Sequence, residues 1–152
     1  MLRKTLDFML YDWLDVESLT GRRRFADHSR ETFDSVLDSC ERIAAEKFAP
    51  FNRAVDVEEP RLENDVVVQP ACAKEAADAF VQSGLLAAAQ DYEYGGMQLP
   101  SVVDMAAHAF FAKASVGLYG GHMLTVGNAN LLLAHGTDVQ RRVFAASEFA
   151  GR

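Results

Sequence analysis

Several kinds of residue are scarce in this sequence, and each scarcity removes a class of protein. There are only two cysteines, Cys40 and Cys72, and they form no Cys-x-x-Cys spacing. A disulfide-stapled scaffold and a thiolate metal site are excluded, and a reducing, cytoplasmic setting is the expectation. No uninterrupted apolar run approaches the ~20 residues that a membrane-spanning helix needs, so no membrane partner is expected. The start Met1-Leu2-Arg3-Lys4 resembles a leader, but Asp7, Asp12 and Asp15 break the apolar stretch that a leader requires. Positive charge is also short: 15 Lys and Arg face 22 Asp and Glu, a net charge of -7. Phosphate neutralisation needs the opposite balance, so nucleic acid is not an expected partner. The one basic run, Arg22-Arg23-Arg24, is followed by Asp27 and reads as a solvated turn.

Catalytic signatures are missing as well. The chain has no Gly-x-Ser-x-Gly elbow, no His-Glu-x-x-His and no phosphate-cradling glycine loop. His28, His108, His122 and His135 stand far apart, with no Glu-x-x-His spacing for joint metal binding, so neither a metal nor a catalytic residue is assigned.

What is present is apolar and periodic. Hydrophobic residues make up 49% of the 152 positions, which suits one domain burying roughly 70% of its unfolded surface. Apolar residues from Leu6 to Leu19 predict a short amphipathic helix ended by Gly21. Asp27 or Ser29 can cap a second helix, in which Phe33, Val36, Leu37, Cys40, Ile43, Ala44 and Phe48 recur at three- and four-residue steps. Pro50 should stop it. The charged stretch from Asn52 to Gln69 reads as a connection holding at most a short extended piece at Val66-Val67-Val68.

Pro70 suits the first turn of a helix running to about Ser83, with Gly84 as its left-handed cap. Asp91 to Pro100, with paired glycines Gly95-Gly96, reads as an ordered loop. A further helix begins at Pro100 or Ser101 and ends near Ser115. Leu118 to Ala134 is apolar nearly all round, which predicts a central helix contacted on most sides and closed by Gly136. Thr137-Asp138-Val139-Gln140 is a capping box that opens the last helix. The fold class is therefore all-α, an up-and-down helical bundle of about five to six helices. Residues 1–26 read as an N-terminal helical extension and 27–152 as the main helical domain.

The order of these pieces carries a resemblance. Ala49-Pro50-Phe51-Asn52-Arg53, then Ser83-Gly84-Leu85, then Tyr92 to Pro100, then Leu133-Ala134-His135-Gly136-Thr137 with Gln140 and Phe144, together resemble the N-terminal domain of the acyl-CoA dehydrogenases. The segment Asp7 to Asp15 before the first family helix resembles the larger branch that includes 3-methylmercaptopropionyl-CoA dehydrogenase-like enzymes.

The resemblance implies an FAD-dependent oxidation of an acyl-CoA to a trans-2-enoyl-CoA. It also implies that the flavin-packing β-domain and the catalytic Glu of a later helical domain lie beyond Arg152. A fragment inactive alone is the expectation, with acyl-CoA and the remaining domains as partners, FAD in the full-length enzyme and a homo-oligomeric assembly. In the family the helix matching Leu118 to Ala134 partly walls the acyl chain, which implies Tyr119, His122, Met123 and Val126 as the wall. Gly120-Gly121 before His122 departs from the common short- and medium-chain members. The same spacing also suits a plain core face. A stand-alone helical interaction or regulatory module of the same fold is the alternative, and an unrelated four-helix bundle is disfavoured because inward ligands are missing.

Overall fold

The most extensive contact between two helices in the computed structural model, which describes residues 1–152, is that of α2 (Arg30–Lys47) with α5 (Ser101–Ala114). Ser29 starts α2 through a reciprocal cap: its hydroxyl accepts from the Thr32 N–H at 3.4 Å, and Thr32 Oγ1 accepts from the Ser29 N–H at 2.8 Å. Phe33, Leu37, Cys40 and Ala44 then fall on the buried face. Phe48, Phe80 and Phe111 form the centre of the core, the Phe48–Phe111 and Phe80–Phe111 pairs each edge-on at 4.9 Å.

Helix α2 stops ahead of Pro50 as expected, capped at Phe48, but helicity resumes at once. A 3-10 turn at Ala49–Phe51 takes the proline in its first turn, where the missing N–H leaves no bond unmade, and α3 (Asn52–Val57) continues beyond it. The expected connection from Asn52 to Gln69 is thus a helix followed by a hairpin, β1 (Arg61–Glu63) and β2 (Val66–Val68), with Arg61 opposite Val68 and Glu63 opposite Val66. Asn64 and Asp65 both have positive φ, 51° and 61°, as the two-residue turn of a twisted hairpin requires.

The N-terminal helix also differs from expectation. It begins at Leu2 as α1 (Leu2–Asp7), widens into a π-helical stretch at Phe8–Trp13, and breaks where Asp15 turns left-handed at φ 47° before a 3-10 stretch at Val16–Gly21. Leu6, Leu10 and Val16 enter the main core, whereas Phe8, Trp13 and Leu14 face outward. Arg3 joins Asp7, Asp34 and Asp38, and the Tyr11 hydroxyl donates to Asp34 at 2.9 Å. Residues 1–26 therefore share one core with the rest of the chain.

Helix α4 (Ala71–Gln82) buries Ala76 and Phe80, and Gly84 follows at φ 78°. A short buried turn at Leu85–Ala87 leads into the 91–100 loop, which folds back so that the Met97 and Leu99 N–H groups both donate to the Ala88 carbonyl. At Gly96 a Cβ would lie 2.1 Å from the Gln90 oxygen, so only glycine permits this return. Arg24 pairs with Asp91, Tyr92 donates to Asp27 at 3.0 Å, and the His28 Nε2–H donates to the Met97 carbonyl at 2.8 Å. The basic run is accordingly more than a solvated turn, since Arg24 ties the N-terminal segment to this loop.

Helix α6 (Val116–His135) corrects the expectation of a central helix. Only Leu118, Tyr119 and Ala129 are buried, and Val116 and Leu124 are 71% and 70% exposed. It packs on α3, α4, α5 and the C-terminal helices along one side, and no element of this chain covers the other. Thr137 and Gln140 cap each other as expected, opening a C-terminal rod of α7 (Asp138–Gln140), a π-helical stretch (Arg141–Ala145) and α8 (Ala146–Phe149). No helix is long and apolar enough to cross a membrane.

Candidate functional site

A groove of ≈ 540 Å³ runs between α5, α6 and the segment after Gly84. Leu85, Leu86, Met105, Met123 and Val126 give it apolar walls, and Asp104, His108 and Tyr119 add a polar patch. Tyr119, Met123 and Val126 are spaced by four and three residues, so they form one stripe on the groove side of α6. His122 stands off that stripe. It lines a separate depression of ≈ 360 Å³ toward α4, beside Ala73, Ala77 and Val81. Its Nδ1–H donates to the Leu118 carbonyl at 3.1 Å, and its ring lies 4.5 Å from that of Phe80. Burial holds the His122 imidazole below its ordinary pKa.

The polar patch was not legible as a site. Asp104 and His108 are one helical turn apart, and burial of α5 brings Asp104 Oδ1 to 3.5 Å from His108 Nε2. The i, i+4 spacing of Asp104 and His108 was the available signal, and it differs from the Glu-x-x-His pattern of paired metal ligands. His108 Nδ1 and the Tyr119 hydroxyl lie 2.7 Å apart across the α5–α6 contact. Burial and nearby Asp104 raise the Tyr119 pKa, so the phenol keeps its hydrogen. Burial also raises the Asp104 pKa and lowers that of His108, since both charged forms lose water. Asp104 Oδ1 and His108 Nε2 have no hydrogen-bond partner. No three His, Cys, Asp or Glu side chains gather to hold a metal ion.

The sequence of residues 30–151 matches the family model of the acyl-CoA dehydrogenase N-terminal domain. The chain belongs to the acyl-CoA dehydrogenase family. It is 32% identical over 143 residues to a 3-methylmercaptopropionyl-CoA dehydrogenase of Ruegeria pomeroyi, an overlap covering 94% of this chain and 24% of that protein. It is 28% identical over 141 residues to the broad-specificity linear acyl-CoA dehydrogenase FadE5 of Mycobacterium tuberculosis, covering 89% and 22% respectively. The chain thus spans about a quarter of the length of these curated relatives.

FAD is the cofactor of the family, and its pyrophosphate needs open backbone N–H groups, commonly at a glycine-rich helix start. Four of the glycines here do not meet that demand. Gly96 is closed against the Gln90 and Ala87 carbonyls, and Gly120, Gly121 and Gly127 lie inside α6, where their N–H groups are committed to the helix. What this chain offers is an apolar groove with a polar patch, suited to binding and orienting a chain-like ligand.

Proposed function

We propose that this chain is the N-terminal helical domain of an FAD-dependent acyl-CoA dehydrogenase, which oxidises an acyl-CoA to a trans-2-enoyl-CoA, and that it supplies one wall of the acyl-chain site. The α5–α6 groove carries the reading, with Tyr119, Met123 and Val126 along one wall and Leu85, Leu86 and Met105 opposing them. These side chains bind by removing methylene groups from water and hold the chain in one direction along α6, each buried methylene contributing about 0.8 kcal/mol. The family match over residues 30–151 supports the assignment of the larger enzyme. No step of the oxidation is assigned to these residues.

The uncovered side of α6 and the outward Val139, Val143 and Phe144 support packing against further domains or a second copy, which gives the homo-oligomer of the reading its surface. Titration calorimetry of the 152-residue chain with free CoA and acyl-CoAs of increasing length tests the groove. Affinity should rise up to about fourfold per methylene until the groove is filled, and Met123→Asp should remove that gain. Equal affinity for free CoA and every acyl-CoA would refute the acyl-wall reading. The exposed α6 face would then favour a helical interaction module of the same fold.

A further inference from the structure

We propose that Gln90 and Asn130 bind a secondary amide of the thioester arm, so that the acyl chain lies with its tail at Tyr119 and its head at this carboxamide pair. The proposal rests on the acyl-groove reading and adds a direction and a polar contact to it. Burial is graded along the groove. At one end Leu85, Leu86, His108 and Tyr119 are all buried. The 2.7 Å contact of His108 with Tyr119 joins α5 to α6 there, close to the turn at Ser115 between the two helices. At the other end Ser101, Gly127 and Asn130 are exposed and Gln90 is half-buried. The stretch of α6 from Tyr119 to Asn130 is about 16 Å long, with Met123 and Val126 between.

The two ends suit different chemistry. An alkyl tail gains most where water is most fully removed, which is the buried end. The arm of an acyl-CoA is large and polar, so it leaves through the exposed end, and its first amide follows two methylenes after the thioester sulfur. That amide carries one N–H donor and one carbonyl acceptor. Gln90 and Asn130 present the complement. They come from opposite walls of the groove, and the Gln90 Nε2–H donates to Asn130 Oδ1 at 2.8 Å. This bond leaves the Gln90 Oε1 acceptor and the Asn130 Nδ2–H donors free and side by side at the groove's edge. A secondary amide laid along them donates to Gln90 Oε1 while its carbonyl accepts from Asn130 Nδ2. Asp104 Oδ1 and His108 Nε2 are closed to any ligand atom, whereas the two carboxamides meet at the surface.

The test titrates the 152-residue chain with butanoyl to decanoyl thioesters of N-acetylcysteamine and of its ester analogue, in which oxygen replaces the amide nitrogen. Calorimetry gives the dissociation constants, and NMR follows the Gln90 and Asn130 side-chain N–H signals and the Tyr119 ring. At each length the amide member should bind about fivefold more tightly than the ester and move both carboxamide signals. Tyr119 ring signals should move only as the chain lengthens. Gln90→Leu should remove the amide preference and keep the rise of affinity with chain length; Asn130→Ala, at an exposed position, repeats the comparison if Gln90→Leu does not fold. Equal affinities within each pair, with the carboxamide signals unmoved, would overturn the amide site, and a rise with chain length in the same data would leave the acyl groove standing. A preference that survives both substitutions, or a Tyr119 shift already complete with butanoyl, would overturn the proposal too. Affinity that neither rises with length nor separates amide from ester would overturn both readings.

Discussion

Replacing Phe80 by alanine should cost about 3–5 kcal/mol of stability, toward the upper end of that range. The ring is fully buried and meets five others: Phe111 at 4.9 Å and Phe48 at 6.3 Å, both edge-on, with His122 at 4.5 Å, His108 at 5.8 Å and Tyr119 at 6.3 Å. Those partners come from α5, α6 and the end of α2, so no single shift closes the space left behind. The loss of favourable ring geometry adds about 0.5–1.5 kcal/mol per pair to the loss of burial. A domain of this size has about 5–15 kcal/mol in all, so the variant sits close to unfolding. Urea denaturation followed by far-UV circular dichroism measures the effect, and with a slope of about 2 kcal/mol/M the midpoint should fall by roughly 2 M. Leu124→Ala is the matched control: although Leu124 lies in the most apolar helix, it is 70% exposed, and its truncation should change stability by no more than about 0.5 kcal/mol. A Phe80→Ala loss below about 1.5 kcal/mol at unchanged slope, or a larger loss from Leu124→Ala, would refute the assignment of the core.

Ser29→Ala should cost about 1 kcal/mol in the same assay, because the Thr32 N–H at the start of α2 loses its acceptor. Iodoacetamide at mildly alkaline pH should label half-buried Cys72 in the folded chain and Cys40 only after unfolding, since burial, aided by Asp104, pushes the Cys40 thiol up to about 12; mass spectrometry of the labelled peptides reads the result. Acidification should destabilise the chain through His122, whose folded pKa lies below the ordinary 6.5. The unfolded state then binds the proton more readily, so this contribution is full above pH 6.5 and is lost as pH falls through the folded value, by at most about 1.4 kcal/mol per pH unit. Urea midpoints across that range should show a shallower slope in His122→Gln, and an unchanged slope would sink the reading of a buried neutral imidazole.

Sequence and structure agree most closely where a signal is local. Ser29 and Thr32, Thr137 and Gln140, and Gly84 after α4 each act within one turn of chain, through hydrogen bonds or dihedrals that a handful of neighbours decide. The family could be read for a related reason, since its motifs are runs of such local signals in a set order. Of the hairpin at Arg61–Val68 only the extended piece Val66-Val67-Val68 was legible; its partner strand and turn were not, because Asn64-Asp65 lacks the usual glycine and the strands are short and exposed. The groove residues Tyr119, Met123 and Val126 share a stripe by helical period alone, but period could not separate His122 from them, because α6 is apolar nearly all round.

The sequence by itself determined the all-α class and most helix boundaries, which follow from backbone capping and apolar period along the chain, while its ordered motifs carried the resemblance to the family. The tertiary structure decided which face of α6 is covered, that His108 meets both Asp104 and Tyr119, and that His122 turns toward α4 and away from the groove. Burial and pairing of that kind depend on which other elements arrive at a face, and residues far apart in the chain supply them.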